Sequence, residues 1–458
     1  MNKNEISEQI QQQINTCSAP SKLRITDIRF ADIEGGPFEN SLIKIYTNQG
    51  IVGFGEVRDF ASKYYALVLK SRLLNENPLD VDRLFNRIKQ FGGPARQGGG
   101  VSGIEVALWD IVGKAYGVPC YQLLGGKYRD RVRVYCDTDV YGKHDGRAMG
   151  EALLRRKERG YTLLKMDIGI DLLLDEPGTL VGPQDILDDM RAYPDMPKFK
   201  RGGKTVEENI LEKRIYDMYN IEHGFTGIHI TEKGLDFLEQ YMADARSVVG
   251  YEIPICIDHI GHVGVEDCIR LLHRLEKYGI TWAEDLMPWQ HTEMYKRIAS
   301  ETAVPLCTGE DIYLRDGFRP LLESGALSVI HPDILTAGGM METKRIGELA
   351  ANHGAAMAIH NAESPIAFMA AAHTAIATHN FLALEHHSND ISWWADLVEG
   401  PAKPIIQNGY VYVSDTPGLG ITDLNDEVIC EHMHSRVKGL WESTDDWNAE
   451  WSHDRTWS

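Results

Sequence analysis

The stretch that decides the fold runs from residue 253 to residue 387. Within it, IPICID (253–258), TWAED (281–285), PLCTGED (305–311), VIHPDI (329–334), AAMAIHN (355–361) and FLALEHH (381–387) are short apolar runs. Between them lie amphipathic segments such as VEDCIRLLHRLEKYG (265–279) and METKRIGELAANHG (341–354). Strand-length runs alternating with helical patterns mark βα units and a parallel sheet. Each run carries an ionisable residue at or near its end: Asp258, Glu284, Glu310, Asp333, His360 and Glu385, at intervals of 26, 26, 23, 27 and 25 residues. Each interval is about one βα repeat. Six successive strands therefore deliver a titratable side chain to one rim, the C-terminal face on which barrel active sites are built.

Upstream, VRVYCD (132–137) and LLKMDIG (163–169) add two more strands. Eight βα units over roughly 260 residues predict an α/β fold of the (β/α)8 TIM-barrel type. The barrel is a modified one, because ISWWADLVEG (391–400) follows the last strand directly and leaves its helix absent or displaced. Earlier still, KLRITDIRFADI (22–33), SLIKIYT (41–47) and IVGFGEV (51–57) alternate as strands, with a turn at Asn48-Gln49-Gly50. From about 62 to 128 the period is helical. Ser102 and Glu105 read as an S-x-x-E capping box opening the helix GIEVALWDIVGKAY (103–116), which Gly117 ends and Pro119 blocks.

This organisation predicts an N-terminal α+β capping domain at 22–130, a barrel at 131–395 and a C-terminal segment at 396–458 that folds back to complete the cap. The barrel holds an insertion at about 171–229, which contains KFKRGGK (198–204), four positive charges in seven residues. That insertion enters at the end of the second strand and is expected to form part of a lid or a neighbouring subunit's wall over the distal end of a substrate.

The chain has 458 residues and a net charge of −20. That charge argues against a nucleic-acid partner, which needs a basic stripe. It leaves an anionic substrate open, since a bound dication reverses the local field. Seven scattered cysteines with no CxxC pair read as free buried thiols in a reducing compartment. The polar first 21 residues lack the apolar core of a signal peptide, and no run reaches the ~18 apolar residues of a membrane span. A cytoplasmic protein is expected.

For any one acid after a strand, capping the next helix is the commoner use. Six in phase are not explained that way, and Asp and Glu are poor strand residues. Bringing carboxylates together is costly unless a cation neutralises them. Asp258, Glu284 and Glu310 are the contiguous set, and hard oxygen donors without Cys or paired His favour Mg2+ over Zn2+.

With Asp, Glu and Glu on three consecutive strands, Lys165-Met166-Asp167 upstream and Asp333 and His360 on strands six and seven, the chain resembles the enolase superfamily, in its mandelate racemase/muconate lactonizing enzyme branch. SGIEVALWDIVGKAYGVPCYQLLGGKYRDRVRVY (102–135) and GIVGFGEV (50–57) resemble that family's cap and its link into the barrel. The resemblance implies one Mg2+ per subunit on Asp258, Glu284 and Glu310, binding a substrate carboxylate and stabilising an enediolate. His360 would be the general base or acid, with Asp333 orienting it through the second ring nitrogen. Glu385 would lie beside the substrate carboxylate, protonated and donating a hydrogen bond. A homo-oligomer, dimer to octamer, is also implied.

The sequence departs from the pattern on the second strand, where the branch often carries Lys-x-Lys. Lys165 matches the first lysine, but Asp167 stands in place of the second. Asp167 could pair with Lys165, act as a weak acid/base or accept a substrate hydroxyl. Losing that lysine disfavours a two-base racemase and favours dehydration of a sugar acid (aldonate or aldarate) to a 2-keto-3-deoxy acid, with His360 serving both steps. His259 and His262 are further candidates for the leaving-group side, each equally readable as a solvated loop histidine. Arg96, in GGPARQGGG (92–100), is a candidate substrate contact or a surface ion pair. An epimerase, racemase or cycloisomerase on the same scaffold is the first alternative. A non-catalytic barrel does not need the intact acid set, and a hydrolase barrel usually needs clustered His ligands.

Overall fold

A computed structural model of the chain describes residues 17–35, 39–138, 140, 145–192 and 221–450, together with Lys3 and Ile6. The basic run 198–204 lies outside the described residues.

Three antiparallel strands open the chain: β1 (Ile25–Ile33), β2 (Asn40–Thr47) and β3 (Val52–Val57). Gly50, at φ +76°, makes the turn between the last two. Helix α1 (Val81–Ile88) packs on helix α2 (Gly99–Tyr116), which covers this sheet. The approach of α2 to β3 is close enough to demand glycine. A Cβ on Gly53 would meet the Ala107 carbonyl at 2.3 Å, and one on Gly103 the Glu56 carbonyl at 2.1 Å.

The capping-box expectation is corrected here. Helix α2 begins at Gly99, so Ser102 and Glu105 lie inside it rather than at its start. Both side chains serve the barrel instead. Ser102 Oγ accepts the Gly338 N–H at 3.1 Å, and Glu105 accepts those of Met340 and Met341 at 2.7 and 3.1 Å. Glu105 thereby caps another helix, α8 (Met340–Asn352), supplying acceptors that a helix N-terminus lacks. Gly339 leaves room for it, since a Cβ there would stand 2.0 Å from Glu105 Oε2. Glu105→Ala is expected to lower unfolding free energy by about 2 kcal/mol, with Glu105→Gln recovering about half. A urea titration checks this, and an Ala variant as stable as the parent would contradict it.

The barrel strands are β4 (Val132–Cys136), β5 (Leu164–Asp167), β6 (Ile255–Asp258), β7 (Ile280–Glu284), β8 (Leu306–Thr308), β9 (Val329–Ile330), β10 (Ala356–Ile359) and β11 (Phe381–His386). They pair in parallel in that order, and β11 returns to β4 with Glu385 opposite Tyr135, closing the ring. Helices Gly146–Glu158, Glu232–Val249, Val265–Leu275, Thr292–Glu301, Leu314–Ser324, α8 and α9 (Pro365–Ile376) follow the first seven strands. Directly after β11, where an eighth barrel helix would stand, the described chain makes a 3-10 turn, Trp394–Leu397, and the helix Asp426–Glu431 comes later, in the C-terminal segment. The insertion after β5 includes a short antiparallel pair, Leu180–Val181 with His229–Ile230, and the helix Gln184–Ala192.

The C-terminal segment adds Tyr410–Val411 antiparallel to β4 and then reaches the cap. There Ile33 bridges Met433, and Lys70 Nζ donates to Thr444 Oγ1 at 2.7 Å. Five cysteines are buried, whereas Cys17 and Cys430 are exposed, against the expectation that all lie inside. No helix of the described residues is long and apolar enough to cross a membrane.

Inside the barrel, Tyr135, Leu163, Cys256, Trp282, Cys307, Val329, Ala358 and Ala383 form one apolar layer. Tyr135 and Trp282 meet edge-on at 5.7 Å. Strand side chains alternate with period two, so the residue two further on faces the same interior, one level nearer the C-terminal rim. Those residues are Asp137, Lys165, Asp258, Glu284, His331, His360 and Glu385. On β8 the same level is occupied by Gly309, held at φ +145°, and the irregular backbone precedes Glu310. The polar site is the layer directly above an apolar floor.

Candidate active site

Lys165 is the hub of this layer. Its ammonium lies 2.8 Å from Asp258 Oδ2, 3.0 Å from Glu284 Oε1 and 3.0 Å from Glu385 Oε1, and only 2% of the side chain is exposed. Burial alone would lower its pKa, but Asp258, Glu284 and Glu385 raise it well above the ordinary value. The alternative in which Asp167 pairs with Lys165 is therefore not realised. Asp167 instead faces His259 Nδ1 at 3.3 Å, and that ring also stands 3.3 Å from Asp258. Asp167 and His259 are the exposed members of the group, at 51% and 69%.

Glu284 is fully buried, and both its oxygens are engaged. Oε1 faces His331 Nδ1 at 2.8 Å as well as Lys165, and Oε2 accepts the Trp282 indole N–H at 3.0 Å. Asp258 accepts the His259 backbone N–H at 2.7 Å. Burial would push the Asp258 carboxyl up, yet His259 and Lys165 hold it well below the usual range. His259 and Asp285, each directly after a strand-end acid, adopt φ of +56° and +47°, sparsely populated values for side-chain-bearing residues. Burial, then the charges of Glu310, Glu284 and Asp258, drive the Asp285 carboxyl well above its usual value. Asp258 and Glu284 thus share the Lys165 ammonium, while Glu310 faces the His360 ring.

Asp333 and His360 come side by side through a parallel bridge just beyond β9 and β10. His360 Nδ1 lies 2.7 Å from Asp333 Oδ2, and Oδ1 of the same carboxylate accepts the Leu335 and Thr336 N–H groups at 2.7 and 3.0 Å. The other ring nitrogen stands 3.0 Å from Glu310 Oε2. Burial would lower the ring's pKa, but Glu310 and Asp333 raise it well above the ordinary histidine value.

Glu385 differs from expectation. Burial favours a protonated carboxyl, but Lys165, His387 and His331 outweigh it and hold the pKa well below the usual range. Its oxygens stand 3.0 Å from Lys165 Nζ and 3.1 Å from His331 Nε2. Arg96 pairs with Asp59 at 3.0 Å and Asp311 at 3.3 Å, beside Glu310 in sequence. The His262 ring stacks on His223 of the insertion at 4.4 Å.

Four residues were missed by sequence reasoning. His331 contacts Glu284, Glu385 at 3.1 Å and the Tyr135 hydroxyl at 2.7 Å. Asp137 ends β4's run and faces His387 at 3.8 Å. Period-two alternation from Val329 and Tyr135 would have found both. Arg58, fully buried one residue beyond β3, donates from one nitrogen to Asp333 and Glu363, each at 2.6 Å. Glu363 follows β10 by four residues and also accepts the Ala362 N–H at 2.8 Å. No periodicity ties either to the site.

A closed eight-stranded barrel, capped by an N-terminal α+β unit whose arginine reaches the acid-lined rim, defines the enolase-type (β/α)8 class. Comparison with known proteins agrees. The family model for the mandelate racemase/muconate lactonizing enzyme N-terminal domain matches residues 37–125, and the enolase C-terminal domain-like model matches 214–427. A Haloferax volcanii protein named D-xylonate dehydratase is 33% identical over 89% of this chain and 89% of its own length. A Ralstonia pickettii D-galactonate dehydratase is 27% identical, covering 89% of this chain and 96% of its own. The crystal structure of a mandelate racemase/muconate lactonizing enzyme-like protein from Rubrobacter xylanophilus aligns with TM-score 0.75 at 28% identity, covering 92% of this chain and 100% of that one. The chain belongs to the mandelate racemase/muconate lactonizing enzyme family of the enolase superfamily.

Proposed function

We propose that this chain is a Mg2+-dependent acid-sugar dehydratase, converting an aldonate or aldarate to a 2-keto-3-deoxy acid. The observation that carries the reading is the His360–Asp333 pair, 2.7 Å apart, on the rim that also bears Asp258, Glu284 and Glu310. The relatives named D-xylonate and D-galactonate dehydratase support the substrate class.

The donor chemistry fits a hard dication. Asp258, Glu284 and Glu310 offer carboxylate oxygen only, the donor set that suits Mg2+. Mg2+, when bound there, supplies positive charge opposite the substrate carboxylate and the enediolate. His360 Nε2 removes the α-proton, while Asp333 holds the Nδ1 edge and fixes the ring's direction. The electron pair left at Cα then forms the C–C double bond as the C–O bond to the β-hydroxyl breaks. His360 returns its proton to that hydroxyl, which leaves as water, and the enol product tautomerises to the 2-keto acid. Lys165 balances Glu284 and Glu385 around the substrate carboxylate. Asp167 and His259, at the exposed lip, contact the distal hydroxyls together with Arg96.

Incubating the purified enzyme and Mg2+ with a panel of acid sugars including D-xylonate and D-galactonate should yield semicarbazide-reactive 2-keto acid from at least one. Solvent deuterium entering Cα without keto product would instead favour the epimerase alternative. Absence of both signals across the whole panel would overturn the proposal.

A further inference from the structure

We infer that Arg58, a side chain of the cap, is a positioning residue for the His360–Asp333 pair, so that the base is complete only when the cap is seated on the barrel. This rests on the reading of His360 as the base.

The inference follows from counting hydrogens. The Arg58 guanidinium nitrogen Nη1 carries two. It lies 2.6 Å from Asp333 Oδ2 and 2.6 Å from Glu363 Oε1, and both contacts take a hydrogen. Its third neighbour, His360 Nδ1, is 3.1 Å away and can receive none. The 2.7 Å contact between Nδ1 and Asp333 Oδ2 must then use a hydrogen carried by Nδ1, because an ionised carboxylate only accepts. When the ring is neutral, as a base requires although Glu310 and Asp333 favour its charged form here, the lone pair is left on Nε2, the nitrogen facing Glu310.

Arg58 is what permits that state. Asp333 and Glu363 are both 0% exposed and share this one guanidinium. The other acids it reaches, Asp59 at 3.1 Å and Glu310 at 3.9 Å, add to the negative charge around it. Without Arg58, two buried carboxylates would face each other with no cation between them. Their repulsion turns the Asp333 carboxylate away from the ring edge, so that nothing holds the hydrogen on Nδ1 and that of the neutral ring moves to Nε2. That tautomer has no lone pair where the α-proton must go. The wrong tautomer of a catalytic histidine costs up to about 10⁴-fold in turnover.

A merely structural role is the competing explanation, since Arg58 also joins the cap to the barrel. The two are separated with the full-length wild-type, Arg58→Met, Arg58→Lys and Arg58→Met/Glu363→Gln proteins in Mg2+. Two readouts are taken: kcat and KM on the acid sugar the wild type turns over, and the ¹⁵N imidazole resonances of His360, assigned by their loss in His360→Asn. Arg58→Met is expected to lower kcat by about 10²-fold or more, with KM within about threefold, and to move the His360 hydrogen to Nε2. Arg58→Lys, which keeps the charge, should recover about tenfold of that loss. Adding Glu363→Gln to Arg58→Met removes one of the two opposed acids, so the Nδ1–H tautomer should return, a rescue that a purely structural role does not give. An unaltered tautomer in Arg58→Met, or a kcat within about threefold of wild type, overturns the inference. Should Arg58→Met not fold, Arg58→Lys and the double variant are judged by the same two readouts. If the wild type turns over no acid sugar, the proposed function falls while the tautomer measurement still decides the role of Arg58.

Discussion

Replacing His360 with Asn is expected to lower kcat by about 10³–10⁴-fold, the contribution of a positioned general base and acid, while leaving Mg2+ affinity within about threefold. The ring has one nitrogen committed to Asp333 at 2.7 Å and the other beside Glu310 at 3.0 Å, and it is nearly fully buried between them. Asn preserves a polar planar group of smaller size, so the pocket keeps its shape, but an amide nitrogen has no basic lone pair to take the α-proton. Single-turnover kinetics, combined with calorimetric Mg2+ titration, separates the two effects. Turnover within tenfold of the parent would remove His360 from the role proposed for it. Loss of Mg2+ binding would mean that the side chain supports the ligand set rather than the chemistry.

The second large effect is expected at Lys165. Its ammonium is the common partner of Asp258, Glu284 and Glu385, all buried. Breaking a buried ion pair by removing one partner costs about 3–5 kcal/mol, because the remaining charge is left uncompensated. Lys165→Met keeps most of the side-chain volume and removes only the charge. The variant should therefore unfold at markedly lower temperature in chelator. Mg2+ should then raise its melting temperature by more than it raises the wild type's, since a ligand bound only to the folded state stabilises it in proportion to occupancy and affinity. Equal melting temperatures in chelator would show that the carboxylates do not depend on Lys165. An equal Mg2+ increment in both proteins would show that the lysine and the metal do not answer to the same acids.

Much of this site was legible because it obeys a local rule. Side chains on a strand alternate, the barrel repeats its strands every 25 or so residues, and a residue at a strand's end therefore has a predictable level and direction. Asp258, Glu284, His360 and Glu385 stand at the level that rule gives, whereas Asp333 stands two residues beyond His331. Within the runs VRVYCD and VIHPDI the rule also accounts for Asp137 and His331. Glu310 is a partial exception, standing one residue past the level where Gly309 turns the backbone. The Ser102–Glu105 box shows the rule's reach from the other side. Its spacing is that of a helix start, but the helix extends back through Gly99-Gly100 to pack on β3, and Glu105 finds its N–H partners 235 and 236 residues away.

By itself, then, the sequence determined the barrel, the cap and the ring of titratable side chains, five acids and one histidine, at the six strand-end positions, because period and spacing are properties of neighbours along the chain. Only the tertiary structure decided which partner each acid takes. Lys165 turned to Asp258, Glu284 and Glu385 rather than to Asp167; His262 turned to the insertion; Glu385 stayed among cations. Arg58 entered the site from a different unit, meeting Asp333, His360 and Glu363 across separations of 275, 302 and 305 residues. Such pairings depend on the path of the closed chain through space, and a buried charge finds its partner among whatever the fold brings within about 4 Å, not among its neighbours in sequence.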